Sequence, residues 1–288
     1  MKQKVVYLLR RIAPKTTRCH RIWTGPNRGG RIVTSWNLYP SAILGWTERP
    51  LLCWFKKNAR AGETWLDIGA NFGYTAIALS RLVGPQGRVY AFEPKLSTAG
   101  CLARTAEVNH YPQLLPVPLA LGNPDDVSIR SMTVVRGMLD GILELGPWSE
   151  SICIARLDWL WPKLCGGKDE IHGVKIDVQG MELEVLRGMR QLLLAHHPKL
   201  VIEVHQNIDR SEFTALLLEC GYRHHPEVLE PGDASDDDGD SFKDNKSYAF
   251  IADVTPQRQP GISHRMRHGM EIPEHSECRN TAGTDLCT

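Results

Sequence analysis

Apolar and polar positions alternate most regularly in 64-TWLDIGANFGYTAIALSRLVGPQGRVYAFEP-94. An apolar run over 65–68 stops at a glycine-rich turn, 69–73. Residues 74–82 carry helical spacing, 84–87 read as a loop, and 88–92 form a second apolar run that ends at Glu93. Strand, turn, helix, strand and acid in close succession predict half of a doubly wound α/β domain. Regularity returns in 173-GVKIDVQGMELEVLRGMRQLLLAHHPKLVIEVHQ-206. This stretch predicts a strand over 174–178, a turn at Gln179-Gly180, one helix over 181–194 and a strand over 200–205. Leu183, Leu186, Met189 or Arg190, and Leu193 mark the buried face of that helix.

The connecting stretches are less regular. Ser97 is placed to cap a helix running to Asn109, and the prolines of 114-LLPVPLALG-122 suit a short strand near a sheet edge. A strand is expected over 127–135 and a Gly-rich loop over 136–150. Asp209 should cap a helix over 212–220 that Gly221 stops, and 247–254 is the last strand. A helix within 42–60 leads into the core. The expected organisation is a basic N-terminal extension at 1–47, one α/β domain at 48–254, and a polar tail without periodicity at 255–288.

Composition narrows the class only slightly. The 288 residues suffice for one sizeable core, and a net charge of +1 gives no global pull toward a polyanion. Charge is unevenly spread, however. No acid precedes Glu48, while Lys2, Lys4, Arg10, Arg11, Lys15, Arg18, Arg21, Arg28 and Arg31 all do; the reverse bias appears in 230-EPGDASDDDGD-240. Residues 1–20 could form a basic helix that caps the domain or touches a membrane surface or a polyanion, and the basic 1–31 segment is the one feature that favours a nucleic-acid partner. No run of about 18 apolar residues is present, so no transmembrane segment is expected. Eight scattered cysteines without metal spacing suit free thiols in a reducing, cytoplasmic setting.

The turn carries the chemistry. Asp67-x-Gly69-x-Asn71-x-Gly73 is not the G-x-G-x-x-G of dinucleotide binders, and an acid beside the turn would repel a pyrophosphate. It suits a cationic ligand end instead, such as the amino group of a methionine moiety. Glu93, at the tip of the second strand, suits a ribose diol, and Ala120-Leu121 would offer an apolar slot for adenine. Together these residues favour S-adenosylmethionine over a nicotinamide or a flavin. Ligands of open α/β sheets lie outside the C-terminal strand ends. Strand periodicity there gathers Asp177, Glu182, Glu203 and His205 around one crevice, with Asp177 bordering the cofactor as well as the acceptor. His205, Asp177 and Glu203 are the candidate catalytic residues, with His205 or Asp177 taking the proton of an alcohol acceptor. Mg²⁺ on Asp177, Glu203 and His205 is conceivable, but nothing in the spacing demands it, and no metal is expected.

The pieces 67-DIGANFGY-74, 88-RVYAFEP-94, Ala120-Leu121-Gly122, Leu157-Asp158, 175-KIDVQGMELEVLRG-188 and 201-VIEVH-205 followed by Gly221-Tyr222 together resemble the FkbM-type methyltransferases. Gln179 departs from that family, which usually carries Glu at this point. The resemblance implies a Rossmann-like class I methyltransferase fold, a seven-stranded, mostly parallel sheet with helices on both faces. It implies the strand order 3-2-1-4-5-7-6 with strand 7 antiparallel. It also implies methyl transfer from S-adenosylmethionine to a hydroxyl oxygen of a small molecule or glycan. Carried over by position, Asp67, Gly69, Asn71 and Gly73 surround the methionine end and Glu93 the ribose. Nucleic acid is disfavoured as a partner, because no Asp/Asn-Pro-Pro-Tyr/Phe stretch follows the strand ending at Asp177. The competing readings are an N- or nucleic-acid-directed methyltransferase, and a domain that binds the cofactor and works through its partners without catalysis. A nicotinamide-dependent oxidoreductase is set aside by the acid in the turn.

Overall fold

A computed structural model describes residues 6–7, 10, 12–125, 128–133, 149–166, 169–223, 225–229 and 242–252. The expectations for the tail at 255–288, for the acidic run at 230–240 and for most of the first 11 residues lie outside the described residues.

The most buried strand, β3 (Thr64–Ile68), is central in a seven-stranded sheet. Around it lie β4 (Arg88–Phe92), β5 (Leu114–Val117), β9 (Gly173–Ile176), β10 (Lys199–Val204), β11 (Glu227–Val228) and β12 (Lys246–Phe250). Their order is β11-β12-β10-β9-β3-β4-β5, with β12 antiparallel to β10 and β3, β4, β5, β9 and β10 mutually parallel. Numbered within the sheet, this is 3-2-1-4-5-7-6. The chain has the Rossmann-like class I methyltransferase fold, and β5, the strand with the prolines, lies at the sheet edge as its sequence predicts.

Period-2 alternation sends successive side chains of β3 to opposite faces. Trp65 joins Val89, Ala91 and Val201 on the side covered by α2 (Arg49–Asn58), α3 (Tyr74–Val83) and α4 (Leu96–Val108), after the short α1 (Pro40–Leu44). Leu66 and Ile68 join Tyr90, Phe92, Val174 and Ile176 on the other. That second face is covered by α5 (Leu157–Leu164), α6 (Glu182–Gly188), α7 (Arg190–His196) and α8 (Arg210–Glu219). A small sheet of β6 (Ala120–Leu121), β8 (Ser149–Ala155) and β7 (Ser128–Thr133) lies beyond β5 in the chain.

Four local expectations change. The helix expected over 181–194 is two, α6 and α7, broken at Met189 (φ −123°). The break follows from packing: a Cβ at Gly188 would stand 1.9 Å from the Gly122 carbonyl oxygen, so the helix end lies flush on that backbone. Ser97 is not a cap; α4 begins at Leu96 behind Lys95, with no side-chain cap. The last strand ends at Phe250 rather than 254. Finally, β1 (Arg18–Arg21) and β2 (Arg31–Thr34) pair with each other, and residues 18–44 are packed into the domain. Ile22, Ile32, Ala42 and Ile43 belong to its core, and Val33 donates its N–H to Thr105 Oγ1 (3.0 Å). Asp209 does cap α8, its carboxylate accepting from the N–H groups of Ser211 and Glu212.

Candidate functional site

Parallel pairing aligns Asp67 of β3 with Lys175 of β9, both on the face away from Leu66 and Ile68. Lys175 Nζ lies 3.2 Å from Asp67 Oδ1 and 3.5 Å from Asp177 Oδ2, and donates to the Gly69 carbonyl (3.0 Å). Burial alone would lower the Lys175 pKa, but the carboxylates of Asp67 and Asp177 outweigh it and raise it, so the ammonium is held charged. Asp67 is fully buried and also accepts from Thr75 Oγ1 at 2.6 Å. Its carboxylate therefore braces the turn from behind and does not line the crevice.

The turn itself runs from Gly69 (φ +78°) through Asn71 (φ +50°) to Gly73 (φ +88°). Only glycine fits at 69, because a Cβ there would stand 1.8 Å from the Asp177 carbonyl oxygen. At Gly73 a Cβ would meet Leu102 at 2.6 Å. Both glycines thus serve close packing of the chain on itself.

A pocket opens in front of the turn, outside the C-terminal ends of β3, β4 and β9. Of the residues named from sequence, Gly69, Asn71, Glu93, Ala120, Leu121 and Asp177 line it; Asp67 and Gly73 do not. Ile68, Phe92, Leu119 and Ile152 add apolar wall, and Val178, Gln179 and Met181 close the end beside Asp177. Glu93 is buried and accepts the backbone N–H groups of Asn71 and Lys95, each at 3.0 Å. Burial dominates and pushes its carboxyl up to about 7, against the lowering effect of those two hydrogen bonds. A desolvated carboxyl with spare acceptor capacity fits a diol, and an apolar slot beside it fits a purine, so the residues present fit S-adenosylmethionine.

Behind Asp177 lies a buried polar cluster. His205 Nδ1 contacts Glu182 Oε1 at 2.7 Å, while Nε2 lies 3.5 Å from Glu203 Oε1 and 3.7 Å from Asp177 Oδ1. Burial pulls the imidazole pKa down, but hydrogen bonds to Glu182 and Glu203 and the charges of Glu182 and Asp177 prevail and raise it to about 10. The raised pKa favours the imidazolium, a state with no lone pair with which to take a proton, whereas the Gln179 amide nitrogen lies 3.0 Å from Nε2, a contact that needs a lone pair on that atom. One ligand atom from each of Asp177, Glu203 and His205 lies within 4.8 Å of the others, a spacing that a divalent cation could also bridge.

Gln179, at φ +58°, donates to Asp177 Oδ1 (3.2 Å), and its amide reaches His205 Nε2 at 3.0 Å. Its unusual backbone angle could not be read from sequence. Thr98 and Lys95, further lining residues, follow Glu93 closely enough in sequence to have been named from the turn alone. Trp161 is buried against Tyr90 (4.9 Å between ring centroids), and Trp159 is 44% exposed beneath Lys163; neither lines the pocket. Trp148 lies outside the described residues.

Residues 150–224 match the family model described as the methyltransferase FkbM domain. That segment carries β9, α6, β10 and the cluster around His205. The hexuronic acid methyltransferase AglP of Haloferax volcanii is 26% identical over 176 residues, 60% of this chain and 69% of the relative. A fibrillarin-like rRNA/tRNA 2′-O-methyltransferase of Staphylothermus marinus is 33% identical over 88 residues, 30% of this chain and 36% of the relative. Among solved structures, an FkbM methyltransferase from Methylobacillus flagellatus superposes with a TM-score of 0.45 at 17% identity, over 75% of this chain and 54% of that one.

The expectation that nucleic acid is disfavoured as a partner is corrected by these similarities, which include an enzyme acting on rRNA and tRNA. The physical reason is plain. A missing Pro-Pro-Tyr/Phe stretch speaks only against an enzyme that clamps a base to reach its nitrogen; a ribose hydroxyl needs no such clamp. No helix among the described residues is long and apolar enough to cross a membrane. The match over 150–224, which takes in the Lys175 to Glu182 block and His205, is to the methyltransferase FkbM domain, and the fold and pocket are those of a methyltransferase that draws its methyl group from S-adenosylmethionine.

Proposed function

We propose that the protein methylates a hydroxyl oxygen of a sugar-bearing acceptor, with Asp177 as the base. The observation that carries this reading is the double position of Asp177. It lines the cofactor pocket and also stands at the edge of the Glu182–His205–Glu203 cluster. S-adenosylmethionine supplies an already activated methyl group, so the protein must align the acceptor and remove its proton. Asp177 can accept that proton, while Lys175 and the His205 imidazolium hold it in place and compensate its charge. Glu203, 3.5 Å from His205 Nε2, would orient the imidazolium. Asp177→Asn should lower kcat by roughly 10²–10⁴-fold while S-adenosylmethionine affinity changes little. Equal loss of cofactor binding and turnover would move Asp177 to a purely cofactor-holding role.

The similarity to a hexuronic acid methyltransferase supports a small-molecule or glycan acceptor. A second reading, an RNA ribose hydroxyl, is supported by the similarity to a 2′-O-methyltransferase, whose acceptor is also a sugar oxygen. Methyl uptake from labelled cofactor onto uronate oligosaccharides and onto RNA separates the two. Label released as 2′-O-methylnucleosides after nuclease digestion selects the second reading; label retained on the oligosaccharide selects the first.

A further inference from the structure

The turn that follows β1 builds a second concave surface, apart from the cofactor pocket. Trp23 is 58% exposed, and its ring is fixed by a near-perpendicular contact with Trp36 (5.5 Å between centroids, 71°). Beside it lies an open cleft of about 890 Å³, walled by Thr24, Pro26, Arg28, Arg49 and Cys53. Arg49 is the first residue of α2, directly after Glu48, the N-cap of that helix.

The positive charge extends past the cleft. Arg21 Nη2 lies 3.9 Å from the position a Cβ on Gly29 would take, and Arg81 Nη2 lies 3.0 Å from that on Gly30. The bare turn thus lets both guanidinium groups close onto the backbone. Arg81 is fixed there by donating from Nε to Tyr111 Oη at 2.9 Å. Among the described residues, no carboxylate lies within salt-bridge distance of Arg21, Arg28, Arg49 or Arg81. Although Glu48 adjoins Arg49 in the chain, these four like charges leave a basic surface that a polyanion would neutralise.

Its length decides the kind of polyanion. Asn27 Nδ2 donates to the Tyr74 carbonyl (2.7 Å), pinning the turn at the start of α3, and Arg81 stands in the last turn of the same helix. The basic face therefore runs about 10 Å along α3. One carboxylated sugar would occupy one arginine; successive phosphates of a strand would occupy several. A fixed, exposed indole at one end is a stacking platform for a base. We propose that this face binds single-stranded RNA, a base on Trp23 and phosphates on Arg28, Arg49 and the Arg21–Arg81 pair. The inference rests on the second acceptor reading and gives it a docking surface that begins at the helix leaving the cofactor turn.

The test is fluorescence anisotropy of a labelled single-stranded RNA on the full chain, across salt concentrations and without cofactor. Three to four phosphate contacts predict log K falling against log salt with a slope of about −2 to −3. The Arg28→Glu, Arg49→Glu double variant should lose at least about tenfold in affinity and flatten that slope. Trp23→Ala should lose about fivefold or more, and Trp23→Phe should recover most of it. Unchanged S-adenosylmethionine affinity and melting temperature in the variants would confirm that the fold is intact. RNA affinity equal in wild type and variants overturns the proposal, as does binding of a polyuronate with no binding of RNA. RNA bound on this face but never methylated keeps the face and removes RNA as acceptor. RNA methylated equally by the variants keeps the acceptor and removes the face.

Discussion

Glu93 is the residue whose chemistry is most directly testable. Its folded-state pKa is raised from 4.5 to about 7, chiefly by burial. Ribose hydroxyls donate better to the carboxylate than to the neutral acid, so cofactor binding favours the ionised form. Affinity for S-adenosylmethionine should therefore rise with pH through about 7 and level off above it. In Glu93→Gln it should be roughly tenfold or more weaker and flat with pH, because a hydrogen bond to a charged group is worth about 1.5–3 kcal/mol. Calorimetric titration between pH 5.5 and 8.5 checks both. His205 makes the complementary case for stability. Its pKa is raised from 6.5 to about 10, so the folded state holds its proton more tightly than the unfolded chain. The resulting stabilisation is complete below pH 6.5 and is lost as pH rises toward about 10. Thermal melts of the wild type should fall across that window more steeply than those of His205→Gln; parallel curves would show that the imidazole is not held charged. The two residues also divide the sequence reading. A strand-end acid at 93 was legible because strand, turn and acid follow one another. The charge state of His205 was not, because strand periodicity brings Glu182 into the same crevice but does not give the 2.7 Å contact with Nδ1 that raises the imidazole pKa.

The elements repeat this division. Trp65 to Ile68, the turn and Arg88 to Glu93 announce themselves because the period-2 run, the glycines and the helix spacing agree. What sequence cannot supply is which face a polar residue takes after the sheet is stacked. Asp67 was expected at the cofactor, yet it shares a face with Trp65 and turns to Lys175 and Thr75. Gly69 lines the pocket, and at both Gly69 and Gly73 a Cβ would also meet the protein's own backbone or side chains. The helix over 181–194 reads as continuous because its apolar spacing hardly changes at Met189; the break is imposed by Gly122 from elsewhere in the chain. These contacts predict that Gly69→Ala and Gly188→Ala are both severe. Each Cβ would meet a backbone oxygen within 2 Å, and Gly69 adds a positive φ, so relief requires moving a strand or a helix end. Melting temperatures should drop sharply or soluble protein should be lost. Gly62→Ala, where a Cβ meets nothing within 4 Å, should cost far less despite its own positive φ.

At the scale of the whole molecule, the first 47 residues bear on stability as well as on charge. Composition marks them as a basic extension, since no acid precedes Glu48 and loop-forming residues fill 21–47. The packing joins residues 18–44 to the α/β sheet. Ile22, Ile32 and Ile43 are at most 1% exposed, β2 lies on α4, and Asn27 ties the turn to the first residue of α3. Burying each isoleucine is worth about 1.5–3 kcal/mol, so losing three removes about 5–9 kcal/mol. A whole domain is stable by only about 5–15 kcal/mol. Removing residues 1–47 should therefore abolish a cooperative unfolding transition or yield insoluble protein. Circular dichroism melts of the 48–288 chain beside the full chain make the comparison. A sharp transition near the full-length temperature would show that the α/β sheet is sufficient alone and that residues 18–47 are merely laid upon it. In that case, cofactor affinity in the truncated chain would match the full-length value, since no residue before Ile68 lines the pocket. Loss of the transition, with the arginine-face variants still melting normally, would separate the apolar part of this segment, which the fold requires, from the basic part, which it can lose.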